Sequence, residues 1–160
     1  DMCAFHLDIP QGATSLDANL DFLRSAPASG FSAGSSATAF LEGVSWNQVV
    51  LYPQGYAVRD LTFVPSLRLP PGWKFATALP GATQNGGAIV FAPVSLETLV
   101  DSPVIAGRYF RAIQLTPGEN PPHEMDIVAD SPAALAMPAD LETHFHRQVA
   151  EAGALFGSRH

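Results

Sequence analysis

The chain has 160 residues, 47% hydrophobic and 14% charged, with 15 acidic against 8 basic side chains and a net charge of −7. That length holds one domain with a real core, or one domain and the start of another. Arginines scattered from Arg24 to Arg159 form no basic stripe, which excludes a nucleic-acid surface, and no run approaches the roughly 18 apolar residues that cross a bilayer, so no membrane segment is expected.

The charged share is low beside the roughly 25% of an average soluble domain. Lys74 is the single lysine, although exteriors are usually covered with Lys and Glu. Part of the surface is therefore expected to lie under protein not included in these residues. The first residues, DMCAFHLDIP, lack the basic-then-apolar layout of a signal peptide. Cys3 is the only cysteine, so neither a disulfide framework nor a Cys-based zinc site can be built from this chain. Its neighbours Met2, Ala4 and Phe5 suit a small buried hydrophobe.

The segment CAFHLDIP reads as a strand closed by Pro10, and QGAT as a turn. In SLDANLDFL, Leu16, Ala18, Leu20 and Phe22 alternate with Ser15, Asp17, Asn19 and Asp21, a period of two with one dry and one wet face. Residues 24–38 lose that period and become a Ser/Ala/Gly loop. Strands are predicted over Val44–Tyr52, Leu61–Leu69, Trp73–Leu79 and Ala88–Phe91. They are separated by Pro53-Gln54-Gly55, Pro70-Pro71-Gly72 and Asn85-Gly86-Gly87, which supply the backbone angles turns need. SLETLVDS reads as a short helix ended by Pro103, followed by strands at RYFRAIQLT and HEMDIVAD. The mixture SPAALAMPAD predicts a domain boundary. Beyond it, Leu141, Phe145, Val149, Ala152, Leu155 and Phe156 fall on one helical stripe that ends at Gly157. This pattern predicts a mainly β fold, an antiparallel sandwich-like sheet followed by one amphipathic helix.

Several residues invite a chemical reading. Gly30-Phe31-Ser32-Ala33-Gly34 spells the G-x-S-x-G nucleophile elbow. The elbow needs a buried strand before it and a helix after it, and neither RSAPAS nor SSATAF reads as one, so an accidental match is expected. Of the histidines, His144 and His146 stand two apart, about 200° on a helix, and cannot chelate one metal together. His123-Glu124 begins an H-E-x-x-H string but continues Met125-Asp126-Ile127 on a predicted strand. His6, on a strand, reads as structural. Asp17 and Asp21 share a wet face and suggest no acid/base pair. Trp46, Tyr52, Tyr56 and Trp73 offer the aromatic surface of a carbohydrate- or protein-binding module, against the plainer reading of core and turn packing. No catalytic, cofactor-binding or metal-binding residue is assigned.

Taken in order, VSWNQVVLYPQG, LPPGWKFATAL, FAPVSLETLVDSPVIAG and the helix ending in ALFG resemble the glycyl aminopeptidase family of thermolysin-like zinc metallopeptidases that carry a PDZ module. The matching positions are Trp46 with Tyr52-Pro53, Pro71-Gly72-Trp73, Leu99 to Val104 with Gly107, and Phe156-Gly157. The resemblance implies a β domain at 1–130, a linker at 131–139 and the first helix of a catalytic domain at 140–160. It also implies an origin from the N-terminal half of a longer polypeptide, with further strands before Asp1. The H-E-x-x-H helix, third zinc-binding Glu and PDZ module would lie beyond His160. The parent is then expected to use zinc to release Gly or Ala from peptide N-termini, this part holding no catalytic group and packing against the rest of its own chain.

Overall fold

The computed structural model describes residues 4–22 and 37–157. In chain order the elements are β1 (Leu41–Val44), β2 (Thr62–Phe63), β3 (Ser66–Leu67), β4 (Lys74–Thr77), β5 (Thr83–Asn85), β6 (Ala88–Val90), β7 (Val94–Ser95), α1 (Leu96–Val100), β8 (Val104–Gly107), β9 (Tyr109–Gln114), β10 (Glu124–Ala129) and α2 (Ala139–Phe156). All pairings among these strands are antiparallel. The fold is mainly β, with one long helix at its C-terminal end.

β8 is the middle strand of the sheet β1-β8-β4. With ladders on both sides it is the most buried strand: Val104 and Ala106 are 0% and 1% exposed. Gly107 closes it, opposite Leu41 on one side and Lys74 on the other. A Cβ there would stand 3.0 Å from Phe40 O and 3.3 Å from Val128 Cβ, so the missing side chain is what lets β10 pass close by.

The predicted strand Leu61–Leu69 is split into β2 and β3, and its partner into β6 and β7. Phe63 pairs with Val94 and Ser66 with Val90, so Val64 and Pro65 oppose the three residues from Phe91 to Pro93. One extra residue makes a bulge. It falls at Pro65, which has no N–H to give to a ladder, while its carbonyl still accepts from Phe91 N at 3.0 Å. The bulge carries Phe91 into a core of Leu79, Ile89, Leu96 and Leu99, with Phe75 edge-on to Phe91 at 5.9 Å. α1 feeds that core through Leu96 and Leu99, one turn apart, and Ser95 caps it by accepting from Thr98 N at 3.1 Å.

Two predicted strands differ more. Val44–Tyr52 ends as a ladder at Val44, and Trp46–Gln48 forms a 3₁₀ turn because Val49 N and Val50 N both close on Trp46 O. The segments predicted as strands over 3–10 and 15–23 join no ladder within residues 4–22, and Phe5, Leu7, Ile9, Leu16, Leu20 and Phe22 are all more than half exposed. A two-stranded ribbon with no layer beneath it gains too little burial to be stable alone. α2 begins after Pro138, has Asp140 and Glu142 in its first turn, and ends at Gly157 with φ +71°.

Candidate functional site

The motifs read from the sequence converge on one joint. Trp46 turns its ring onto the core cluster, and its indole N–H donates to Ser102 O at 2.9 Å. Thr77 Oγ1 donates to the same oxygen at 3.2 Å. Ser102, 4% exposed, follows α1 and leads into β8. One carbonyl thus ties the Trp46 turn, the edge strand β4 and the entry to the central strand.

A second joint holds α2. Arg111 on β9 reaches Glu142 with Nη2–Oε2 at 2.7 Å and donates from Nη1 to Leu135 O at 3.4 Å. One turn further on, His146 Nδ1 donates to Leu115 O at 2.6 Å. In the connection from β9 to β10, Thr116 Oγ1 accepts from His123 N at 2.8 Å. Between these clasps lies an open groove of about 800 Å³ lined by Leu115, Met125, Phe145, Val149, Ala152 and Phe156. Leu155 and Phe156, at 77% and 76% exposure, carry the apolar stripe out of it.

Other sequence candidates are dispersed. His6, Asp17, Asp21 and His144 are exposed. Trp46 and Trp73 are both half-buried, and Trp46 commits its polar edge to Ser102, which removes it from any exposed platform. Trp73 borders a smaller groove of about 410 Å³ with Lys74, Gln84 and Phe110. Ser32, its GFSAGSS segment and Cys3 lie outside the described residues. Among the described residues no group of three or more His, Cys, Asp or Glu gathers as metal ligands. His123 is hydrogen-bonded to Thr116, and His146 to a backbone carbonyl.

Asp126 stands apart. It lies on β10 two residues from Glu124, on the same face, and its Oδ1 is buried without a hydrogen-bond partner. Burial first, then the adjacent Glu124, raises its pKa above the usual carboxylate value.

Sequence reasoning named Trp46 and Ser102 but not their bond, and it missed Arg111–Glu142 and the bond from Thr38 Oγ1 to Asp130 Oδ1 altogether. The last joins residues 92 apart, and no local pattern marks such a pair.

Residues 1–108, from the N-terminal arms through β8, match the family model of the peptidase M61 N-terminal domain. The chain belongs to the M61 peptidase family. The Trp46–Ser102 joint and Gly107 fall within the matched M61 domain, whereas β9, β10, which passes close to Gly107, and α2 follow it. No curated protein matches the chain.

Proposed function

We propose that this chain is the non-catalytic N-terminal part of a zinc metallo-aminopeptidase that releases Gly or Ala from peptides, and that it supports the catalytic part. The observation carrying this reading is the M61 match over residues 1–108, joined by the ordered motifs from Trp46 to Phe156-Gly157. In this reading residues 1–130 are the β domain, 131–139 a linker and 140–160 the first helix of the catalytic domain. The half-exposed stripe of α2 and the groove beneath it are where the catalytic part rests. Zinc, its ligands and the peptide substrate belong to that catalytic part.

The test compares two samples. The 160-residue chain with added zinc is expected to leave glycyl and alanyl anilides intact, and zinc-dependent release by it overturns the non-catalytic assignment. A longer polypeptide containing this domain and a zinc-binding helix is expected to release Gly and Ala and to stop when a chelator is added. Release unaffected by chelation removes the metallopeptidase reading.

A further inference from the structure

β4 is an edge strand, and the ladders decide which of its backbone groups are free. Arg108 N donates to Phe40 O at 2.8 Å, in line with the register that sets Leu41 against Gly107. Hydrogen-bonded rungs alternate along an antiparallel pair, so Ala106 and Val104 also turn their backbone groups toward β1. Ile105 and Gly107 then turn theirs toward β4, onto Ala76 and Lys74. The N–H and C=O groups of Phe75 and Thr77 are left pointing away from the sheet. Among the described residues no strand pairs with them.

The groove of about 410 Å³ lies along the Trp73–Phe75 part of this edge and takes its lining from both faces of the strand. Trp73 and Phe75 share one face by alternation. Ile89 belongs to the core that Phe75 packs against, and Gln84, its rung partner, shares its face. Lys74 alternates to the other face, and Phe110 completes the lining. Lys74 is exposed, is the only lysine, and forms no ion pair among the described residues.

Free groups that repeat every second residue, a donor and an acceptor together, match extended backbone. We infer that β4 is a strand-addition site for an extended peptide that carries an apolar–acidic–apolar sequence. The peptide residue opposite Lys74 falls on the Lys74 face and is acidic; its two neighbours fall on the Trp73–Phe75 face and are apolar. That pattern reads alike in either chain direction. The site rests on β4 and its groove and goes beyond the peptidase reading. A lysine on an edge strand can also serve to repel stray strands, but that device leaves an edge bare, whereas this one has an aromatic groove beside it. A second copy of the chain suits the edge less well, because two molecules of net charge −7 repel.

The probe is fluorescein-labelled Thr-Thr-Val-Glu-Val-Thr-Thr, titrated with the intact chain and followed by anisotropy. Saturable binding with Kd below about 1 mM is expected. A peptide with Lys in place of the central Glu should bind at least about threefold more weakly, and Lys74→Glu should reverse that preference. No saturation, or a preference that does not follow residue 74, overturns the site. Hydrogen exchange reads the edge itself. Without peptide, the amides of Phe75 and Thr77 should exchange freely while those of Lys74 and Ala76 are protected; saturating peptide should slow the first two by about tenfold or more. Binding that leaves Phe75 and Thr77 fast overturns strand addition. Protection of both in the dilute free chain would mean that the chain covers its own edge, and protection that appears only on concentrating it would mean a second copy; either overturns the peptide as occupant.

Discussion

The indole N–H of Trp46 and the side-chain hydroxyl of Thr77 both end on one acceptor, the carbonyl oxygen of buried Ser102. Because two donors share it, removing one leaves the oxygen paired. Trp46→Phe should cost about 1 kcal/mol through the lost bond, and Thr77→Val about 1–2 kcal/mol, because Thr77 Oγ1 also accepts from Leu79 N at 3.3 Å. Together they strand a buried acceptor, so the double variant should lose more than the singles combined, with a coupling of about 0.5–3 kcal/mol. Urea unfolding of the four proteins checks this, and additive losses would show that the shared carbonyl is not the joint.

Gly107 supports a sharper substitution. A methyl group there meets Phe40 O at 3.0 Å and Val128 Cβ at 3.3 Å, and backbone held on two ladders cannot move aside freely. Gly107→Ala is expected to destabilise by about 1–3 kcal/mol, the usual cost of overpacking. Thermal unfolding measures it, and an unchanged midpoint would mean that β10 does not pass this close.

How much of this was legible beforehand depended on range. α1 could be read because Ser95, Leu96 and Leu99 settle it within five residues, and α2 because its stripe repeats over four turns. The Pro65 bulge was half legible: a proline inside a strand pattern warns of a break, but the extra residue sits on the opposite strand. Trp46 was misplaced because a β-rich run hides a 3₁₀ turn whose stability comes from Ser102, 56 positions away. The motif order carried the family even though no single motif carried a site. The α2 clasps, formed between Arg111 or Leu115 and residues 31 positions on, left no trace in any local window.

Asp126 sets the pH behaviour of the β9–β10 hairpin. Its folded pKa is raised by burial and by Glu124. A carboxyl with a raised folded pKa contributes stability that is fully present below the unfolded value of 3.8 and lost as pH rises through the folded value. At neutral pH the ionised group therefore works against the fold. Asp126→Asn should be more stable than the parent at pH 7 by at most about 1 kcal/mol, since half-exposed charges are screened, and the two should converge below pH 3.8. Thermal midpoints across that range decide it. A variant less stable than the parent at pH 7 would mean that the ionised carboxylate has a favourable partner.

α2 is held by few contacts, and that gives the last prediction. None of its residues is fully buried, and most of a helix's stability in a protein comes from tertiary packing. Its attachment rests on Arg111–Glu142 and on His146 to Leu115 O. The ion pair, with side chains 35% and 31% exposed, is worth only about 0.2–1 kcal/mol. Replacing His146 by Phe leaves Leu115 O without that donor. Arg111→Met with His146→Phe should therefore release the helix while the sheet β1-β8-β4 stays intact, because that sheet's burial comes from β8 and not from α2. Hydrogen exchange should show the α2 amides losing protection to near the open-chain rate, while the amides of β8 keep theirs. Parallel loss in both would show that helix and sheet unfold as one unit.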